Sequence, residues 1–234
     1  MSGPAESIYH DGTYLRNHPT WHAEDARYKT SDILTLLARH NLRPETVCEV
    51  GCGCGAILES LSRSLGPSLR CAGYDISEQA IALCRPREQE NLRFFLGSPP
   101  AGNARFDLLL LIDVLEHVDD YLGFLRQLRR IGAHTIFRIP LNISIQSVLF
   151  RSAPILDARR TCGHLHYFTR ETALATLEDT GYRVLDSFPT FSEAPAGMRP
   201  GRALLRACKR SLFRLRREWV ARMFDGFSLM VLAE

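Results

Sequence analysis

The chain is 234 residues long, enough for one sizeable α/β domain with appendages and too short for two ordinary domains and a linker. Its net charge of +3 is mild, and all but Lys29 and Lys209 of its 29 basic residues are Arg, a uniform preference that gives no reason to expect a nucleic-acid partner. No apolar run approaches the roughly 18 residues of a membrane span, the start of the chain is polar rather than a basic-then-apolar leader, and the seven cysteines are scattered, so a cytoplasmic protein with free thiols is expected.

Residues 1–22 carry Tyr9, His10, Tyr14, His18, Trp21 and His22 among Gly, Asn and Pro. They show no sustained period and read as an arm or lid, without a folded element, ahead of a single domain at 23–234. Glu24 to His40 has Ile33, Leu34, Leu36 and Leu37 at amphipathic spacing and stops before Asn41 and Pro44, which predicts a covering helix. Thr46 to Val50 is a short β-branched run, hence a buried strand, and Ala56 to Leu65 has helical spacing. Between them lies Gly51-Cys52-Gly53-Cys54-Gly55. Glycines there let the backbone take positive φ and approach a ligand, and the helix that follows offers unpaired N–H groups.

The next strand, 69–74, ends at Asp75-Ile76, where a carboxylate can accept both hydroxyls of a ribose. Gly51-x-Gly53-x-x-Ala56 with Asp75 also satisfies the dinucleotide fingerprint. Glu49 tips the balance: a carboxylate two residues before the first glycine repels a pyrophosphate and suits the ammonium of a methionine moiety. Helix 77–84, strand 92–96, strand 106–112, helix 119–130 and strand 134–139 follow. That alternation implies a parallel sheet with helices on both faces and ligands beyond the carboxyl ends of the strands.

Residues 140–168 break the rhythm and read as an insertion, a short helix plus loop, over the substrate side. Thr169 can cap a helix at 170–180 that stops at Gly181, with a strand at 182–188. A second insertion, 189–225, contains a helix of about 201–224 with Leu205, Cys208, Leu212, Leu215, Trp219 and Met223 on one face and mostly Arg elsewhere. It reads as a solvated helix packed on the domain, or else as a lid over an anionic acceptor, a weak membrane-surface contact or a dimer face. Phe227 to Glu234 forms the last strand.

Glu49-x-Gly51-x-Gly53-x-Gly55 resembles motif I of the class I S-adenosylmethionine-dependent methyltransferases. Phe106 to Val118, with Asp113-Val114-Leu115-Glu116-His117, is similar to their fourth strand and the acidic turn after it, and His164-Leu165-His166-Tyr167-Phe168-Thr169 followed by Gly181-Tyr182-Arg183-Val184 to the late helix and strand of their small-molecule branch. The resemblance spans about residues 24–234. It implies a doubly wound, seven-stranded Rossmann-like sheet in the order 3-2-1-4-5-7-6 with the last strand antiparallel. It further implies an enzyme that binds S-adenosyl-L-methionine through Glu49, Gly51, Cys52, Gly53, Gly55, Asp75, Ile76, Ser98, Asp113 and Val114 and leaves S-adenosyl-L-homocysteine. Ser98 is a departure, since the family commonly has an Asp after Gly97 to meet the adenine amino group.

Methyl transfer needs a nucleophile held in line and water kept out. An oxygen acceptor is helped by a general base, for which His117, His164 and His166 are candidates, with His18 and His22 if the arm folds over. O-methylation of a small molecule is preferred over N-methylation. An NAD-dependent oxidoreductase and a non-catalytic cofactor-binding module remain as alternatives. Cys48, Cys52 and Cys54, and separately Cys162, His164 and His166, invite a metal reading, but no C-x-x-C knuckle is present and no metal is expected. Over two residues only, Glu116-His117 is similar to an acidic/His cluster that binds divalent metal in some quinone-biosynthesis O-methyltransferases.

Overall fold

Among the residues the structure describes, seven strands form one sheet. They are β1 (Thr46–Val50), β2 (Arg70–Asp75), β3 (Leu92–Leu96), β4 (Phe106–Ile112), β5 (Gly132–Leu141), β6 (Val184–Phe191) and β7 (Phe227–Ala233), in the order β3-β2-β1-β4-β5-β7-β6. β7 runs antiparallel to both its neighbours, β5 and β6, and the other pairs are parallel, as the resemblance implies. This is a computed structural model, and it describes residues 7–100, 105–149, 153–191 and 200–234. The first six residues of the arm and parts of both insertions, 150–152 and 192–199, lie outside the described residues.

The helices are α1 (Ser7–His10), α2 (Thr13–Asn17), α3 (Ala26–Arg39), α4 (Ala56–Leu65), α5 (Glu78–Cys84), α6 (Tyr121–Leu128), α7 (Ile145–Leu149), α8 (Ala153–Thr161), α9 (Arg170–Asp179), α10 (Pro200–Leu215) and α11 (Arg217–Met223). Among the described residues, none is long and apolar enough to cross a membrane.

The central strands are apolar on both faces because both are covered. Leu109, Leu111, Phe137, Ile139 and Val231 pack against α6, α9 and α11 through Leu125, Leu177 and Val220. Leu108, Leu110, Ile112, Ile136 and Met230 point the other way, onto Ile33, Leu36, Leu58 and Ile81 of α3, α4 and α5. Each leucine fully buried in this way contributes about 1.5–3 kcal/mol relative to exposure, so these two layers hold the carboxyl ends of β1, β2 and β4 in fixed register. Thr169 caps α9 by accepting from the N–H of Thr172, and the Thr172 hydroxyl accepts from the Thr169 N–H, a reciprocal cap stronger than a single bond.

Two expectations are corrected. Residues 7–22 are folded: α1 and α2 bring Tyr14 and Trp21 into a small buried cluster with Cys54 and Ala80. Elements of four and five residues are too short to show a period in sequence. The Arg-rich helix is also not continuous. It breaks at Arg216, whose φ of −143° and ψ of 71° are not helical, and the pieces on either side are α10 and α11.

Candidate active site

The strand order reverses between β1 and β4, and the crevice this opens lies beyond their carboxyl ends. The glycine loop after β1 and the turn after β4 meet there. Gly51 and Gly53 have φ of 74° and 55°. A Cβ would lie 2.7 Å from Val114 at the first and 2.8 Å from the Trp21 indole at the second, so glycine is required by conformation and by space. Gly55 serves differently. It is the N-cap of α4, its Cβ would strike Phe94 at 2.5 Å, and it lines neither cavity described next.

Two adjoining cavities of about 400 and 450 Å³ share Tyr14, Trp21, Gly51, Asp113 and His117. The larger is lined by Asp75, Ile76, Ser98, Val114, Asp119 and Phe124. Asp75 accepts the Gly53 N–H at 2.8 Å and the Ser77 N–H at 2.9 Å, and the Ser77 hydroxyl ties the Tyr9 carbonyl at 2.8 Å. Burial raises the Asp75 carboxyl against those two N–H donors. Asp119 supplies a carboxylate to the cavity that Gly97 and Ser98 also line.

The other cavity is lined by Glu49, Cys52, Gly53, Lys29, Arg138 and His164 among others. Glu49 is buried, with Oε2 lacking a hydrogen-bond partner. Burial pushes its carboxyl up to about 8, against the pull of Lys29. Asp113 has φ of 56°, a left-handed conformation unusual for a non-glycine residue. Its carboxylate receives Arg138 at 2.5 Å and Lys29 at 3.0 Å. Burial alone would raise it, but those two cations hold it well below the usual carboxylate range. The cluster joins α3, β4 and β5 and pairs charges that would be costly if left alone.

Beside it, Glu116 is fully buried and neither carboxylate oxygen has a partner. Burial, with Asp113 adding, pushes its carboxyl well above the usual range. Tyr9 donates its hydroxyl proton to the Cys162 carbonyl at 3.0 Å and also lies 2.9 Å from Nδ1 of His117, which is 3.3 Å from the Gly163 carbonyl. Nε2 of His117 lies 3.8 Å from Oε1 of Glu116. Burial, reinforced by His164, pushes the His117 imidazole down to about 3. The His164 ring stands edge-on to it at 4.9 Å, with Nδ1 buried and unpartnered, and burial lowers its pKa as well.

The structure therefore brings His117 and His164 together and leaves His166 out. His166 donates from Nε2 to the Val118 carbonyl, 2.9 Å away, packs on Tyr121, and lines neither cavity. The Cys162, His164, His166 set also does not converge, because Cys162 meets His18 at 3.5 Å instead. Cys48 is buried in the core. Glu116, His117 and His164 do converge, their ligand atoms lying within 4.8 Å of one another, a donor set that suits a divalent cation. Lys29, Arg138, Tyr9 and Asp119 were not singled out from sequence. An arginine within the apolar run Thr135 to Ile139 was the available signal, since a charge in a buried strand requires a partner.

A family model described as a methyltransferase domain matches residues 22–187. Norajmaline N-methyltransferase of Rauvolfia serpentina is 30% identical over 100 residues, covering 39% of this chain and 33% of that protein, so the chain spans about a third of that curated relative. The methyltransferase in a Haloferax volcanii complex with the Trm112 methyltransferase activator superposes with a TM-score of 0.62 at 15% identity, covering 100% of this chain and 98% of that one. N-methyltransferase NodS from Bradyrhizobium japonicum WM9, solved with S-adenosyl-L-homocysteine, gives a TM-score of 0.58 at 16% identity, covering 95% and 98%. At these identities the two structures share the fold.

Proposed function

We propose, from the premise that this chain belongs to the class I S-adenosylmethionine-dependent methyltransferases, that it methylates a small-molecule acceptor, at oxygen in preference to nitrogen. The observation that carries this reading is Glu49: a buried acid with an unpartnered oxygen beside a glycine loop gives an ammonium group a counter-charge on releasing its proton and gives a pyrophosphate none. The cofactor, when bound, supplies an electrophilic methyl group. Glu49 takes its ammonium, the backbone at Gly51, Cys52 and Gly53 its carboxylate, and Asp75 its ribose, while Ile76, Ser98 and Val114 flank the base. Gly55 serves by setting the start of α4. Asp113, at the junction of the two cavities, is fixed by Lys29 and Arg138 so that the floor of the site does not move.

On the acceptor side, burial keeps His164 neutral, so it can take the proton of a hydroxyl acceptor, and His117 positions it. Tyr14 and Trp21 line both cavities, and the arm serves as a lid that excludes water. Residues 23–234 act as one domain, with the insertions 140–168 and 189–225 on the substrate side, in the cytoplasm and without a nucleic-acid partner. An anionic acceptor is compatible with the Arg-rich segment. Calorimetric titration separates this reading from its rivals: S-adenosyl-L-homocysteine should bind and NADH should not. Binding without turnover on any acceptor would leave a non-catalytic module.

A second reading of the chemistry rests on Glu116, whose two oxygens lack partners. There a divalent cation on Glu116, His117 and His164 would orient the acceptor oxygen. Turnover lost to a chelator and restored by one divalent ion selects it over the metal-free base.

A further inference from the structure

Cys208, Leu212 and Leu215 recur on α10 at steps of four and three, the spacing by which a helix hides one face, and Trp219 follows on α11 beyond the break at Arg216. They do not hide it. Leu215 is 80% exposed, Trp219 53% and Leu212 45%. What docks α10 is Phe213, buried against Phe191 and Phe227 at ring separations of 6.2 and 4.9 Å. The stripe is thereby turned toward solvent.

The short helices α7 and α8 also expose apolar side chains. Val148 is 65% exposed, Leu149 70% and Leu156 51%, and Lys209 of α10 donates to Gln146 of α7 at 3.0 Å. Charge borders this apolar area. Lys209, Arg210, Arg214, Arg216 and Arg217 lie within nine residues that contain no acid. Two neighbouring carboxylates are engaged, Glu218 with Arg170 at 3.1 Å and Glu171 with Arg222 at 2.5 Å.

We propose that this face docks on an anionic lipid surface, the end of α10 and the start of α11 lying at the interface with Leu212 and Leu215 of α10 and Trp219 of α11 among the acyl chains and the arginines on the headgroup phosphates. An exposed apolar stripe flanked by arginine has that surface as its physical complement. A second copy of this chain is a poor one, because apposing the stripes brings two rows of arginine together. The docking is independent of methyl transfer, but the two meet in space: Ser147 of α7, Ile155 of α8 and Asp225, in the turn after α11, line the cavity that also holds Glu49 and His164.

Flotation of the full chain with vesicles tests this. Binding to equal mixtures of phosphatidylglycerol and phosphatidylcholine should exceed binding to phosphatidylcholine alone at least tenfold and fall as salt is raised. The double variant Leu215→Ser, Trp219→Ser should lose tenfold or more, and so should Arg210→Glu, Arg214→Glu. All these side chains are exposed, so both variants should keep the wild-type affinity for S-adenosyl-L-homocysteine. Absence of binding to the anionic vesicles overturns the proposal, as does equal binding by wild type and variants. A wild-type dimer by light scattering that the double variant abolishes, without vesicle binding, also overturns it. If vesicle binding holds while the homocysteine product does not bind, the docking stands and the methyl-transfer reading falls.

Discussion

The backbone N–H of Gly53 donates to Oδ2 of Asp75 at 2.8 Å, so one carboxylate both braces the glycine loop and faces the cavity. Asp75→Ala should weaken S-adenosyl-L-homocysteine binding by about 1–3 kcal/mol, the cost of removing a charged acceptor. Asp75→Asn keeps one acceptor for the loop and should cost less. Calorimetry reads both; an unchanged affinity in the alanine variant would place the ribose elsewhere.

Gly53 combines φ of 55° with the Trp21 indole 2.8 Å from where a Cβ would stand. Gly53→Val should abolish cofactor binding and leave the far-ultraviolet circular dichroism of a folded protein. Adding Trp21→Ala relieves the contact but not the backbone torsion, so the double variant should not recover binding. Recovery would assign the whole effect to the indole.

Glu49 sets a pH dependence. With its carboxyl raised to about 8 by burial, the free protein holds a proton there at neutral pH, and an incoming ammonium releases it. Affinity for S-adenosyl-L-homocysteine should therefore rise between pH 6 and 8, by up to about tenfold per unit, and level above. Glu49→Gln should bind weakly with no slope over that range. A flat wild-type profile would mean the ammonium is held by another group.

The histidines should separate by role. His164→Ala is expected to lose kcat by roughly 10²–10⁴ with cofactor affinity kept. His166→Ala should keep kcat within a factor of about two and lose about 1 kcal/mol of stability with its bond to Val118. Full rate in His164→Ala, with His166→Ala impaired, would reverse the assignment.

The strands around the crevice were legible because β1, β4 and β7 are short, mostly apolar runs between turn signals, each with only one or two polar residues. The glycine loop was legible because glycine at positive φ has few substitutes. What sequence hid was whatever depends on distant residues meeting. Lys29, Asp113 and Arg138 come from α3, the end of β4 and β5, and nothing local in any of them announces the pair of cations on one carboxylate. His164 and His166 look equivalent in an extended segment, yet two residues' difference puts one against His117 and the other on a backbone carbonyl. The break at Arg216 carries no Gly or Pro, so the helical period ran through it unmarked.

Among the described residues β6 has β7 as its only strand partner, and β5 has β7 on one side, so the sheet closes with residues synthesised 36 or more positions after β6 ends at Phe191. During translation the four strands that hold the cofactor end can pair among themselves while β5 and β6 wait, each with an unsatisfied edge. Those edges are sticky, and β5 is apolar. A chain stopped before Phe227 should thus keep a partly ordered cofactor half but aggregate through β5. Assembly order, and not cofactor chemistry, would set its yield.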